Sequence, residues 1–225
     1  FSAGVMIYVS FIEIFVKARE SLTASWGVKG GSWGTLAAFF TGMALIGIID
    51  KFVPEYENPH EAHKIEEMNP ESQKKNPLLR MGIFTALAIG IHNFPEGLAT
   101  FTAALKDPSI GLPIAIAIAI HNIPEGIAVS VPVYYATGSR KKAFYYSFLS
   151  GVSEPLGALL GYVLLRNFMS DVLFGLIFAM VAGIMVFISF DELLPTARKY
   201  GEHHISLWGV ILGMAVMGIS LLMFI

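Results

Sequence analysis

His92-Asn93-Phe94-Pro95-Glu96-Gly97 and His121-Asn122-Ile123-Pro124-Glu125-Gly126 are near-copies of one hexapeptide. The first follows Leu87-Ala88-Ile89-Gly90-Ile91, the second Ile116-Ala117-Ile118-Ala119-Ile120. An ionised carboxylate at the middle of a bilayer costs about 2.5–3.5 kcal/mol even on lenient insertion scales, so such a residue implies a function. A second copy argues against chance. His and Glu at i and i+4 share one helix face. An imidazole beside a carboxylate suits a divalent transition metal.

The surrounding composition fits a bilayer. Hydrophobic residues make up 55% of the chain and charged ones 14%, which reads as an all-α, polytopic membrane helix bundle. Apolar spans of ~20 residues fall at 2–19, 33–53, 78–105, 111–136, 142–166, 172–197 and 205–225. A net charge of −2 suggests no nucleic-acid partner. The absence of cysteine removes disulfides, thiolate metal sites and thiol redox chemistry. The first span carries Glu13, Lys17 and Arg19 and has no small-residue cleavage site, so it does not read as a cleavable signal.

Basic residues set the orientation. Loops after the second, fourth and sixth spans hold 10 of the 15 Lys and Arg residues, Arg140, Lys141 and Lys142 among them, so that side is expected to be cytoplasmic. The first span then runs outward and the C-terminus is outside. Residues 54–77 are polar, charged and punctuated by prolines, and read as a mobile cytoplasmic loop. His60-Glu61-Ala62-His63 within it either binds metal weakly or belongs to a solvated linker.

The spans repeat. Ala3-Gly4-Val5-Met6 through Ser10-Phe11-Ile12-Glu13 matches Ala182-Gly183-Ile184-Met185 through Ser189-Phe190-Asp191-Glu192. Gly42-Met43-Ala44-Leu45-Ile46-Gly47-Ile48 matches Gly213-Met214-Ala215-Val216-Met217-Gly218-Ile219. The first two spans thus repeat as the last two, and the third repeats as the fourth. Loop charge gives the copies opposite directions, the inverted arrangement of secondary transporters with midplane sites. The fifth span has no counterpart before the first. One further helix upstream of Phe1 is therefore expected, eight in all, with both termini outside.

Within each hexapeptide the proline leaves the carbonyl of Ile91 or Ile120 without its helical donor and is expected to kink the helix. The adjoining Gly97 and Gly126 allow close approach. His92, Asn93 and Glu96 would face His121, Asn122 and Glu125, and a bridging carboxylate would make a two-metal site. The competing reading is a set of polar side chains bonded to one another with no ion. Glu154, in Gly151-Val152-Ser153-Glu154-Pro155, is a further ligand or a protonated carboxyl bonded within the bundle. Glu13 lies seven residues beyond Met6, about 10 Å along a helix, and Glu192 lies seven beyond Met185 in the inverted copy. Glu13, Asp191 and Glu192 are thus candidate pathway residues on opposite sides of the midplane, or acids reaching interfacial water. Met6 and Met185 offer soft thioethers or simply pack.

The doubled His-Asn-x-Pro-Glu-Gly motif, the Glu-Pro of the fifth span and the Ala-Gly-x-Met opening resemble the ZIP (Zrt/Irt-like protein) family, above all its bacterial zinc-uptake branch. The resemblance covers the whole chain, from the family's second helix to its eighth. It implies a single transmembrane transporter domain over 1–225, a 3+2+3 helix arrangement and a binuclear centre. The implied ligands are His92, Asn93, Glu96, His121, Asn122, Glu125 and Glu154, with Met6 contributing. The first helix is absent here, and the loop holds two histidines where many relatives have a rich tract.

The expected function is uptake of Zn2+ across the cell membrane, a bacterial inner membrane, and with it Fe2+, Mn2+, Co2+ or Cd2+. These ions are cargo, and no cofactor is expected. The expected partners are the ions and the lipid bilayer, with a homodimer left open. No Walker-type glycine loop is present, so the ion follows its own gradient or a coupled one. The rival class is a membrane-embedded di-metal enzyme. Ferritin-like sites use Glu-x-x-His, whereas the order in the apolar spans is His-x-x-x-Glu; zincins use His-Glu-x-x-His, a spacing that His60-Glu61-Ala62-His63-Lys64 misses. A proton-coupled carrier of organic solutes is the third reading, and it predicts no metal dependence.

Overall fold

The computed structural model describes residues 1–51, 77–106, 108–165, 167–168, 170–200 and 202–222. The expected 54–77 loop falls outside the described residues, apart from Pro77. The described chain is all-α, with no strand among the described residues. Helix α1 is Ser2–Val9, α2 Phe15–Lys51, α3 Pro77–Lys106, α4 Pro108–Thr137, α5 Arg140–Leu165, α6 Asp171–Ile188, α7 Leu194–Tyr200 and α8 His203–Leu222. Among the described residues, Ser2–Ile49, Arg140–Leu164, Asp171–Asp191 and His203–Leu222 are long and apolar enough to cross a membrane.

The loop expected between 19 and 33 is instead helical on both sides of a single break at Gly27, at φ 73°, ψ 168°. That region of backbone space is essentially closed to residues with a Cβ. The chain reverses there. Arg19 Nε donates to Ser32 Oγ at 3.2 Å, and Gly34 lies against the Trp26 ring. The polar run 20–32 concealed this hairpin, because Ser, Thr and Lys on an exposed helix end look like loop residues.

Two π-turns interrupt the α-helical register. Ser10–Ile14 joins α1 to α2, and Ser189–Leu193 joins α6 to α7. They fall at equivalent places in the first sequence repeat; one carries Glu13 and the other Asp191 and Glu192. Single π-turns inside helices occur disproportionately at functional sites.

The packing repeats as the sequence does. A Cβ on Gly4 of α1 would collide with the Val210 carbonyl of α8, and one on Gly183 of α6 with the Phe39 carbonyl of α2. Gly213 meets Phe1 O and Gly42 meets Met180 O in the same reciprocal way. Small residues let helix backbones touch where lipid offers no hydrophobic drive for association. Helix α2 packs along α6, α1 along α8, and α3 against both α4 and α5. Helix α1 also touches α4, and α6 touches α3. The core between α1, α2 and α6 is built from Met6, Val9, Ile14, Phe174, Phe178 and Met185, joined by Ile118 of α4 and Met217 of α8.

Candidate metal centre

The backbone stays α-helical through both hexapeptides and through Pro155, so the prolines do not break α3, α4 or α5. Glu96 of α3 is fully buried, and Glu125 of α4 and Asn93 of α3 are 2% exposed. Glu154 of α5 is half-buried. The side chains of His92 and His121 lie outside the described residues. Among the described residues no three acidic or imidazole groups form a cluster able to hold a metal.

The amides join the carboxylates. Asn122 Nδ2 donates to Glu154 Oε2 at 2.7 Å, linking α4 to α5. Its Oδ1 is buried without a hydrogen-bond partner among the described residues, an oxygen with a lone pair to offer. The Asn93 amide lies between Ile89 O, Ser150 O and Glu125. With its nitrogen toward Glu125 it donates to Glu125 Oε2 and to Ile89 O, both at 3.2 Å.

Glycine brings α5 to the centre. A Cβ on Gly97 would collide with the carbonyl of Glu154 itself, and one on Gly157 with the carbonyl of Phe94. Gly126 takes a gentler contact: Ser147 Oγ donates to its carbonyl at 3.1 Å. Ser147, Ser150 and Ser153 stand along α5, and Ser150 and Ser153 bond back to the carbonyls of Ser147 and Ser150 at 2.8 and 2.7 Å. Sequence reading passed over this serine row and the Ser150 carbonyl beside Asn93. The three-residue spacing leading to Glu154 was the available signal.

Met6 and Met185 are both fully buried in one apolar cluster with Ile118, which lies three residues before His121. They are packed rather than exposed. Ser2 Oγ also donates to Met6 Sδ at 4.0 Å. Glu13 and Asp191 are half-buried in the two π-turns, and the Glu192 side chain lies outside the described residues.

Apolar helices that bury carboxylates and amides against one another define a membrane protein built to handle cations within the bilayer. Residues 51–221 match the family model described as ZIP Zinc transporter. The chain is 61% identical over 238 residues to the Zinc transporter ZupT of Clostridium perfringens, covering 100% of this chain and 84% of that protein. It is 65% identical to the Zinc transporter ZupT of Oceanobacillus iheyensis, over 99% of this chain and 84% of the relative. The corresponding Streptococcus mutans protein is 64% identical, with 100% and 84% covered. The chain belongs to the ZIP family, a family of transporters rather than enzymes.

Proposed function

We propose that this protein carries Zn2+, and with it Fe2+, Mn2+, Co2+ or Cd2+, into the cytoplasm through a midplane site between α3, α4 and α5. One observation carries the reading: Glu96 and Glu125, from two copies of one motif in apolar helices, are both buried, with Asn93 against Glu125. Relatives described as zinc transporters at more than 60% identity support zinc as the cargo.

The proposed ligands are His92, Asn93, Glu96, His121, Asn122, Glu125 and Glu154, in a binuclear arrangement to which Met6 contributes. Glu13, Met185, Asp191 and Glu192 line the path on either side. Carboxylate, imidazole and amide hold zinc less firmly than a closed thiolate cage, which suits a site that must also release. Asn93 Nδ2, donating to Glu125 Oε2, holds that carboxylate in place beside the proposed ligands. Binding requires deprotonated carboxylates and neutral imidazoles, so uptake declines as the medium is acidified.

The architecture we assign is one transporter domain of seven spans out of eight, 3+2+3, with inverted repeats and the 54–77 loop in the cytoplasm. The reciprocal contacts of Gly4 with α8 and Gly183 with α2 support this assignment. Alternating access then follows from one set of helices moving against the other. Metal flux into liposomes bearing the full-length protein tests the function. Zn2+-dependent accumulation is expected, while flux of an organic solute with no metal dependence would overturn it.

A further inference from the structure

The first turn of α5 carries three adjacent cations, Arg140, Lys141 and Lys142, all exposed. Neither lysine ammonium has an ion-pair or hydrogen-bond partner among the described residues. Charge in this turn is accounted for by the topology rule, which any position would satisfy. Its placement is not. Lys141 and Lys142 form part of the wall of a cavity of about 380 Å³, completed by Tyr145 and Tyr146 of α5 and Leu79 of α3.

The helix repeat extends this cavity into a strip. Lys141 and Tyr145 stand at i and i+4, as do Lys142 and Tyr146, so each ammonium has a phenol one turn below it. Phe144 and Phe148 continue the Lys141 face, at i+3 and i+7. Their rings stack at 5.8 Å with 18° between planes, and they are 69% and 56% exposed. From the helix start inward, the cations therefore give way within one turn to Phe144 and the two phenols side by side, with the Phe148 ring a further turn along.

We infer that this surface is a binding site for one anionic glycerophospholipid. The phosphodiester lies between Lys141 and Lys142, the tyrosine hydroxyls reach its oxygens or the glycerol, and an acyl chain lies over Phe144 and Phe148. Charge complementarity favours an anionic headgroup over a zwitterionic one. Tyrosines are the residues that settle at headgroup depth, and basic pockets between membrane helices accept such headgroups. The apolar strip below the cations selects a lipid over free phosphate.

Native mass spectrometry of the full-length protein in detergent tests this, with dioleoyl phosphatidylglycerol and dioleoyl phosphatidylcholine offered at equal concentration. A lysine near an anionic lipid is worth about fivefold in affinity, so Lys141→Gln/Lys142→Gln weakens phosphatidylglycerol retention by about 25-fold. Lys141→Arg/Lys142→Arg retains it, and Lys29→Gln, at the exposed turn near Gly27, leaves it unchanged. Circular dichroism of each variant establishes that the helices persist. Equal retention of the two lipids by the unsubstituted protein, or undiminished phosphatidylglycerol on the Gln variant, overturns the site. Displacement by millimolar inorganic phosphate overturns the lipid as its occupant.

Discussion

At the scale of single residues, burial inside apolar helices makes each polar atom informative. Ser10 and Ser189 hold equivalent places in the two π-turns, and both are fully buried. Ser189 Oγ donates to Met185 O at 2.8 Å, whereas Ser10 Oγ has no partner among the described residues. A buried hydroxyl that makes its bond contributes about 1 kcal/mol, and one that does not is a liability. Ser189→Ala should therefore lower stability to unfolding in detergent by about 1 kcal/mol, while Ser10→Ala leaves it unchanged or raises it. Equal losses would show that the two hydroxyls are equally bonded. The acidic and amide residues of the centre were legible in the sequence because a carboxylate in an apolar span demands an explanation. Ser147, Ser150 and Ser153 were not, because a hydroxyl that bonds its own helix carries little penalty and leaves no trace in hydropathy.

At the scale of elements, hydropathy anticipated the long apolar helices, four of them long and apolar enough to cross a membrane among the described residues. It could not find the reversal at Gly27, where one glycine replaces a loop, because hydropathy does not report backbone angles. Nor could it find the π-turns: an inserted residue in a helix alters register without altering composition. The close approach expected at Gly97 has a specific meaning in the fold, since the atom in the way of a Cβ there is the carbonyl of Glu154. Gly97→Ala should push α5 away from α3, separate Glu154 from Asn122 and reduce Zn2+ flux by at least about tenfold, in line with the sensitivity of sites to misplacement of about 1 Å. Gly151→Ala, whose Cβ meets nothing within 4 Å, serves as the control and keeps its flux. Normal flux in Gly97→Ala at matched expression would show that α5 does not shape the site.

At the scale of the whole molecule, the two π-turns carry Glu13 and the Asp191-Glu192 pair at corresponding points of the sequence repeat, which the proposed architecture directs oppositely across the membrane. If the ion passes both, they act at different stages. Glu13→Gln should raise the metal concentration needed for half-maximal uptake. Glu192→Gln should chiefly lower the maximal rate, by slowing release. Initial-rate measurements against zinc concentration separate the two, and identical changes in both variants would contradict the inverted arrangement. The membership of the ZIP family agrees with what the doubled motif implied. The direction of transport rests on loop charge.

The central claim is that the two buried carboxylates of the repeated motif hold the ion in transit. Its most direct test is radioactive zinc uptake into liposomes containing the full-length protein with Glu96→Ala or Glu125→Ala, at equal reconstituted amounts and with helix content verified by circular dichroism. Each substitution removes one of the two buried carboxylates proposed as ligands, so uptake should fall to the level of protein-free liposomes in both. Near-normal uptake in either variant would mean that the ion crosses elsewhere.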